Sequence, residues 1–419
     1  MCFSSIDYYG IVFVLLLMLP TTVLSQVTIE GEFRPRTEYR NGYRQLRTTA
    51  TEPAFFTSQR TRLSLQYQSE NYKVKVAGQD VRVWGEVNQL QDNSNVNIHE
   101  AWARINLSEM IQLKMGRQEL VYGSQRLLGS VNWTQQARSH DALVLKFQQP
   151  QAHFSVDIGG AYNQEAENVF GNTYGLNNYK ILSYAWLQKG FGSWNMSALF
   201  LTDGFEPQPD ATNFRYTTGG HLAYGNQPWK FSGSAYYQSG DDLTRNNISA
   251  YMFEFKGSYS WASFRLEGGY DYLSGGKASD TNPARHTFNT LYATNHKFYG
   301  HMDYFLNIPT DTQGGGLQDL HLGTNYEMTN KADLGLTYHY FALANELPNF
   351  QNSGQSTEQY LGSEFDLSFA YQFSEDISFK LGYSMMLSTS SMDRLQGRNG
   401  KESQQWGWVM LQISPDFEK

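Results

Sequence analysis

Charged and uncharged side chains alternate without exception over Glu30–Arg40, and this pattern constrains the fold more than any other feature of the chain. A period of two is that of a β-strand with one charged face and one largely uncharged face. Gly31 and Pro35 lie inside the segment and argue against a helix that carries the same charges as i,i+4 pairs. The charged face of this strand is therefore predicted to meet either bulk water or a water-filled lumen.

Alternating segments of roughly ten residues, the length of a membrane strand, recur from Gln26 almost to the end of the chain. Clusters of Gly, Asn, Asp, Ser and Pro separate them, and these residues favour turns. In Leu361–Phe373, aromatic and aliphatic residues occupy one face, while Glu364 and Asp366 lie on the other. A weaker candidate strand lies within Lys297–Leu306.

Almost none of these segments is apolar on both faces, whereas a β-sandwich or a propeller would bury some strands between layers. One segment, Tyr72–Val83, changes phase near Gly78, as a β-bulge would cause. The pattern predicts an all-β chain of about 18 strands, in which a single antiparallel sheet closes on itself as a transmembrane outer-membrane β-barrel.

The first 25 residues predict export from the cytoplasm. An apolar run from Ile11 to Leu19 is followed by Pro20 and by the small-residue stop Val23–Ser25, which is typical of a signal peptide at residues 1–25. The barrel is then expected to span residues 26–419. The single cysteine, Cys2, lies in the signal peptide, so no disulfide or thiolate site is expected after it.

The links between the predicted strands alternate in length. The link at Glu375–Asp376 is short, whereas those at Ser274–Thr290, Asn345–Glu358 and Ser388–Ser403 are long and polar. Short periplasmic turns and long external loops would produce this asymmetry.

Charge is spread unevenly along the chain. Residues 26–147 carry 16 Lys or Arg and 12 Asp or Glu, a net charge of +4, while residues 148–419 carry 16 and 27, a net charge of −11. The acidity of the second part is expected on external loops, such as those at Gly240–Asp242 and Asp311. An exported chain with this acidic balance is not expected to bind nucleic acid.

Several segments resemble the alginate-export porin family, in the form carried by Bacteroidetes-type bacteria. The segments are NIHEAWARINL at 97–107, LKMGRQELVYGSQRLLGSVNWTQQARSHDAL at 113–143, NTLYATNHKFYGHMDYF at 289–305, FRPRTEYR at 33–40, RTRLSL at 60–65 and DVRVWG at 80–85. The block at 113–143 is the most specific of them. The resemblance covers essentially the whole chain after the signal peptide, and it implies an Arg-rich pore for passive diffusion of an anionic polysaccharide.

Guanidinium groups suit such a pore, because they bind carboxylates through two hydrogen bonds and do not deprotonate. The candidate lumen cations lie on polar strand faces or in the 113–143 block: Arg34, Arg36, Arg40, Arg60, Arg62, Arg104, Arg117, Arg126 and Arg138. The carboxylates expected to position these cations and to moderate their field are Glu30, Glu32, Glu38, Glu100 and Asp141.

No catalytic residue, cofactor or metal site is predicted, and the chain is not expected to be an enzyme. His296, His301 and Asp303 are close in sequence, but on a strand the two histidines would point to opposite faces. The run Ser139–Asp141 cannot form a catalytic triad, since adjacent residues on a strand also face opposite ways.

These features predict a passive outer-membrane porin for export or diffusion of an anionic polysaccharide, such as alginate, through an Arg-lined lumen. Its expected partners are outer-membrane lipid, the anionic solute and periplasmic export components. Two alternatives stay open: a general or small-anion porin of unrelated substrate, and an outer-membrane enzyme or adhesin on a closed barrel. A conductance measurement distinguishes a porin from the enzyme or adhesin, because a filled barrel gives no stable channel.

Overall fold

The computed structural model describes residues 26–91, 95–172, 174–175, 178–208, 211–242, 245–277, 280, 282–347, 358–400 and 402–417. The predicted signal peptide at residues 1–25 lies outside the described residues. Within the described ranges, no helix is long and apolar enough to cross a bilayer.

Eighteen strands lie in the described part of the chain. The first nine are β1 (Gln26–Asn41), β2 (Ala54–Gln68), β3 (Tyr72–Val83), β4 (Val96–Asn106), β5 (Ile111–Gln118), β6 (His140–Gln149), β7 (Phe154–Tyr162), β8 (Ile181–Phe191) and β9 (Trp194–Gln208). The other nine are β10 (Ala211–Asn226), β11 (Trp229–Asp241), β12 (Asn247–Trp261), β13 (Phe264–Leu273), β14 (Leu317–Thr329), β15 (Ala332–Ala342), β16 (Tyr360–Gln372), β17 (Ile377–Ser388) and β18 (Gln404–Ile413). Short helices and 3-10 turns occupy Pro150–Ala152, Pro283–His286, Asn295–Lys297, Ile308–Asp311 and Ser390–Gln396.

The strands form one closed antiparallel sheet. Each strand pairs with the next along the chain, and β1 also pairs with β18, so the ring has no free edge. Closure satisfies the backbone hydrogen bonds of both outermost strands, which an open sheet would leave unpaired. The predicted all-β barrel of 18 strands is confirmed.

Cross-strand register assigns strand residues to the inner or the outer face, because directly paired residues lie on the same side of the sheet. Arg34 pairs with Arg60, and both are buried, whereas the neighbouring Phe33 and Leu63 are exposed. The outer face of a single barrel has no protein to pack against, so the buried polar set faces inward. The charged residues of Glu30–Arg40 therefore line the interior.

Large apolar side chains cover the outer face of the barrel. They include Leu63, Leu65, Val76, Leu143, Leu145, Ile158, Phe200, Phe253, Phe255, Leu266, Leu322, Leu336 and Leu367. Aromatic pairs lie where strands end at short turns: Trp194 with Tyr224, Trp229 with Tyr259, and Phe264 with Tyr326. An apolar band bordered by aromatic rings matches the hydrocarbon core and the interface of a bilayer.

Two long connections fold into the barrel. Connections after even-numbered strands have two to four residues, and most of those after odd-numbered strands are longer. We call residues 119–139, between β5 and β6, the first infolded segment, and the described residues of 274–316 (274–277, 280 and 282–316), between β13 and β14, the second infolded segment. Leu128 of the first segment forms a bridge with Tyr292 of the second. Together they fill part of the interior with buried apolar side chains.

The strand predicted within Lys297–Leu306 is wrong, because these residues belong to the second infolded segment. A 3-10 turn at Asn295–Lys297 overlaps the start of the predicted strand, and Gly300 and Asp303 have positive φ values of 77° and 57°. In contrast, the bulge predicted near Gly78 is confirmed by a register shift between Ala77 and Gly78.

Pro35 lies at the seam between the first and last strands. Its lack of a backbone N–H matters on only one side, since it keeps its place opposite Gln59 in the ladder with β2. The ladder with β18 passes from Phe33, opposite Ile413, to Arg36, opposite Met410, and omits the two residues between. The barrel therefore accommodates the proline by interrupting its closing ladder.

The outer face can be tested at Phe255, near the middle of β12. Phe255→Arg places a guanidinium on the lipid-facing side, so we expect the free energy of unfolding to fall by about 2–4 kcal/mol. The control is Lys256→Arg at the next position, where the side chain faces the lumen and approaches Glu267. Urea titration of both variants in lipid vesicles measures the difference, and equal stabilities would contradict the assigned faces.

Candidate functional site

The inner faces of β1–β6 carry mainly cations, and we call this surface the basic wall. Its cations are Arg34, Arg36, Arg40, Arg60, Arg62, Lys73, Lys75, Arg104, Lys114 and Lys146. Carboxylates on the same described strands and face are Glu30, Glu32, Glu38 and Glu100. The excess of positive charge in the first third of the sequence is thus concentrated on one side of the lumen.

The inner faces of β12–β16 carry the opposite charge, and we call their buried carboxylates the acid wall. These are Glu254, Asp271, Asp319, Glu364 and Asp366. The sequence predicts the acidity of this part of the chain on external loops, and for Glu254, Asp271 and Asp319 that prediction is wrong, whereas Glu364 and Asp366 lie on the polar strand face that the alternation predicts. Each alternates with outward-facing apolar residues along its strand, and this phase turns it toward the lumen.

Three arginines of the basic wall hold the first infolded segment in place. Arg34 donates from Nη1 to the Asn132 carbonyl at 2.9 Å, and from Nη2 to the Thr134 carbonyl at 3.0 Å. Arg36 donates to the Trp133 carbonyl at 2.7 Å, and its guanidinium lies 4.3 Å from the Trp133 ring centroid. These contacts satisfy backbone carbonyls that would otherwise be buried without a donor.

Arg60 is the third of these arginines and is fully buried. Its guanidinium donates to Asn132 Oδ1 at 2.8 Å and to the Gln135 carbonyl at 3.3 Å. Glu32 supplies the counter-charge at 2.6 Å. Arg34 and Arg60 thus act as anchors for the first infolded segment, and their donors are already engaged.

Other cations of the basic wall are less engaged. Among the described residues, Arg62, Arg104, Lys73 and Lys114 have no carboxylate within ion-pair distance. Arg62 contacts Gln79 at 2.7 Å, and Lys114 Nζ lies 4.1 Å from the Trp102 ring centroid. These groups form the part of the wall that can exchange its contacts for those of a solute.

Arg40 and neighbouring aromatic rings line a cavity of about 430 Å³ at the long-loop end of β1. The Arg40 guanidinium lies 4.3 Å from the Tyr43 ring centroid and 4.7 Å from that of Phe56. Glu38 accepts from Arg40 at 2.9 Å and orients it. Arg36 and Trp133 complete this surface, which we call the Arg-aromatic cavity. A cavity of this kind offers donors for a carboxylate and ring faces for a sugar.

Arg126 and Arg138 extend from the first infolded segment to other surfaces. Arg126 Nη2 lies 2.7 Å from Asp271 Oδ1 on the acid wall, and its guanidinium lies 4.0 Å from the Phe298 ring centroid. Arg138 donates to the Ala293 carbonyl at 3.3 Å. Burial lowers the pKa of the Arg138 guanidinium below its usual value. Both arginines join the two infolded segments to each other or to the wall.

Arg117 and Asp141 do not lie with the other candidates. They pair with each other across β5 and β6 at 3.4 Å, and the same face carries Met115 and Leu143, which are exposed. Adjacent residues on a strand alternate, and it is Gln118 and His140 that face inward here. The structure therefore places this pair on the outer face, near the long-loop end.

His296 and Asp303 are brought together because their segment is not a strand. His296 Nδ1 lies 2.7 Å from Asp303 Oδ1, and its ring stacks on Trp133 at 4.3 Å. Burial alone would raise the pKa of Asp303, but the adjacent His296, Tyr43 and Arg44 hold the pKa of its carboxyl below the usual value. The prediction that His296 and His301 point to opposite faces of a strand is wrong, because their rings stack with centroids 5.6 Å apart. The pair fixes the second infolded segment beside the first.

Lysines are the lumen-facing cations that reasoning from the sequence missed. Lys73 and Lys75 alternate with apolar residues in β3, so the period-two signal was present. The predicted lumen cations were all arginines, so these two lysines were left out although the alternation places them on the polar face. The buried carboxylates Glu364 and Asp366 gave the same signal within β16.

Comparison with known proteins identifies one family model, described as "Alginate export", that matches residues 25–167 and 197–403. No curated protein matches the sequence significantly. Among solved structures, OccAB1 of Acinetobacter baumannii is 14% identical, with a TM-score of 0.64 over 93% of this chain and 97% of that chain. OccK1 (OpdK) of Pseudomonas aeruginosa is 9% identical, with a TM-score of 0.60 over 94% and 99%. At these identities the likeness is one of fold.

The anchoring role of Arg34 predicts the protease sensitivity of the first infolded segment. Arg34→Ala removes the donors to residues 132–135. Because a hydrogen bond to a charged group is worth about 1.5–3 kcal/mol, we expect the segment to open at least about tenfold more often. Trypsin cleavage after Arg126 or Arg138, followed by mass spectrometry, measures opening. Arg104→Ala, elsewhere on the wall, is the control, and equal cleavage of both variants would exclude the anchor.

Proposed function

This chain belongs to the alginate export family, and we propose that it is a passive outer-membrane channel through which an anionic polysaccharide, such as alginate, moves along the basic wall. The family match and the closed barrel support an outer-membrane β-barrel channel. The anionic polysaccharide and its route along the basic wall are what we propose. No catalytic step is required of any residue.

The concentration of cations on the inner faces of β1–β6 is the observation that carries the proposal. A polyuronate presents a carboxylate on each sugar, and a row of guanidinium and ammonium groups can pass those carboxylates from one to the next. The Arg-aromatic cavity would act at the long-loop end of this row. There, Arg40 would bind a carboxylate while Tyr43 and Phe56 contact the apolar face of a sugar ring.

The two walls produce an electric field across the lumen instead of a uniformly positive interior. An anionic chain would be drawn to β1–β6 and repelled from the acid wall, which keeps it in single file along one side. Carboxylates within the basic wall, such as Glu32 and Glu38, limit the depth of binding, so a solute can leave as well as enter. Periplasmic export components would meet the barrel at its short-turn end.

A general or small-anion porin is the second candidate, and one observation favours it. Arg34 and Arg60 donate to the first infolded segment, so fewer cations of the basic wall are left to bind the successive carboxylates of a polysaccharide. Small anions need only isolated cations. An enzyme or adhesin on a closed barrel is the alternative from another class, because the infolded segments occupy part of the interior.

Planar-bilayer recording tests the channel and its substrate class. We expect the purified protein to form stable open channels whose reversal potential in a salt gradient shows anion preference. Alginate added to one chamber should block the current at lower concentration than uncharged dextran of equal length. Anion preference without block would favour the small-anion porin, whereas the absence of any stable channel would favour the closed-barrel alternative.

Charge removal at Arg104 tests the route. Arg104→Gln removes a cation from the basic wall, and we expect the anion preference to fall and the apparent affinity for blocking alginate to decrease about threefold to tenfold, the loss expected for one charge-assisted contact. Arg117→Gln removes the same charge from the outer face and is the matched control. Equal reversal potentials for the two variants would show that β4 is not in the permeation path.

A further inference from the structure

A compact group of nitrogen and oxygen atoms lies on the acid wall, away from the basic wall. Asp319, His321 and His339 place one ligand atom each within 4.8 Å of the others. His339 Nδ1 lies 2.9 Å from Asp319 Oδ1, and His321 Nδ1 lies 3.8 Å from Asp319 Oδ2. Asp271 Oδ2 lies 3.9 Å from the same nitrogen of His321.

The position of His321 is the observation that points to a ligand. The residue is 8% exposed, and its buried Nδ1 has no hydrogen-bond partner. A Cβ built on Gly269 would lie 2.5 Å from His321 Nε2, so the absence of a side chain at Gly269 makes room for the imidazole. The ring is thereby seated with its unpaired Nδ1 directed at the carboxylates of Asp271 and Asp319. A buried polar atom without a partner is costly unless another group completes it.

The charge around this group is unbalanced. Five buried carboxyl groups form the acid wall, and Arg126 is the guanidinium that approaches them among the described residues. Arg126 contacts Asp271 through Oδ1 at 2.7 Å, which leaves Oδ2 facing His321. Buried carboxylates require compensating positive charge, and a cation at this position would supply it.

We propose that Asp319, His321 and His339, with Oδ2 of Asp271 as a fourth ligand, bind a divalent transition-metal ion such as Zn²⁺. Two imidazoles and carboxylates suit Zn²⁺, Ni²⁺ or Co²⁺, whereas Ca²⁺ and Mg²⁺ prefer sites made of oxygen alone. Ligands about 2.0–2.1 Å from a metal in tetrahedral geometry are roughly 3.3 Å apart. With Oδ2 as the ligand atom of both carboxylates, the separations are 3.0 Å from Asp319 to His339 Nδ1, 3.8 Å from Asp319 to His321 Nδ1 and 3.9 Å from Asp271 to His321 Nδ1. These values lie around the expected one, so small side-chain shifts complete the site.

The surroundings of His339 fit a ligand role. Its Nδ1 faces Asp319, while its Nε2 lies 3.6 Å from Asp366 Oδ2. Metal-bound imidazoles commonly direct their second nitrogen at a carboxylate, which fixes the tautomer. When the metal occupies Nδ1, the imidazole hydrogen lies on Nε2, where it faces the Asp366 carboxylate, so binding to a neutral His339 releases no proton. A hydrogen-bonded His339–Asp319 pair without metal is the competing explanation, and it leaves His321 Nδ1 unpaired.

A bound ion would change the electrostatics of the lumen, and this consequence rests on the proposed channel function. The double positive charge of the ion on the acid wall would weaken the repulsion between this wall and anions. Anions could then approach both sides of the lumen. The metal would then act as a regulator of anion preference, with the basic wall unchanged.

Calorimetric titration of the detergent-purified, untagged and chelator-treated protein with Zn²⁺ alone tests the site. We expect one ion per chain. His321→Gln and His339→Gln should each weaken binding more than about a hundredfold, beyond the 10–100-fold typical of an outer-sphere partner. Asp366→Asn, which changes the outer carboxylate, should weaken binding by about 10–100-fold. His140→Gln, which faces inward on β6 and is bonded to Tyr179, is the matched control and should bind as wild type.

Absorption bands of bound Co²⁺ give a second readout that requires no channel activity. Bands of a tetrahedral nitrogen and oxygen site that disappear in His321→Gln support the proposal. Unchanged stoichiometry and affinity in both His→Gln variants, with native heat-modified mobility on gels, would overturn it, as would the absence of binding by wild type. The bilayer experiments are run without metal. A lack of anion preference in them would therefore count against the proposed channel function and not against the metal site.

Discussion

Hydrogen bonding around a closed ring of strands is the constraint on which the rest of this structure depends. Lipid offers no partner to a backbone N–H or carbonyl, so each strand must pair on both sides. A strand in such a ring has one face toward lipid and one toward the lumen. The period-two alternation of charge and apolarity follows directly from this geometry, and it places every charged side chain of Glu30–Arg40 inside.

Charged side chains on the inner face also need hydrogen-bond or ion-pair partners. Two long connections fold inward and remove some of these side chains from bulk water, and the two walls supply the partners in different ways. The basic wall uses Arg34, Arg36 and Arg60 to bind backbone carbonyls of the first infolded segment. The acid wall receives Arg126 from the same segment. One connection thus joins opposite charges on opposite sides of the barrel and narrows the space between them.

The sequence was sufficient for the architecture because alternation is a local property. The strands, their phases and the bulge near Gly78 can all be recognised within a dozen residues. The candidate site was less accessible, since the direction of a connection depends on contacts between residues far apart, such as Arg34 with Asn132. The sequence motif at 113–143 marked the first infolded segment. It did not show which face each residue takes, because a single step along the strand separates Arg117 on the outer face from Gln118 on the inner face.

The distribution of acidity illustrates a second limit. Glu364 and Asp366 lie on the polar phase of a strand, so their inward direction could be read from the sequence. Their proximity to Asp319 and Asp271 could not, because it depends on the register of four neighbouring strands. Histidines are placed by the same register: His321 stands directly opposite His339 although 18 positions separate them along the chain.

The seam between β1 and β18, where Pro35 lies, bears on how the barrel assembles. Contacts between β1 and β18 join the two ends of the barrel sequence, so their closure carries the largest entropic cost and comes after the local hairpins. Trp133 of the first infolded segment packs edge-on against Trp406 and Trp408 of β18, and it also contacts Arg36 on β1. Its docking surface is complete only when the last strand has arrived. Ring closure and the final shape of the lumen are therefore a single late event in folding.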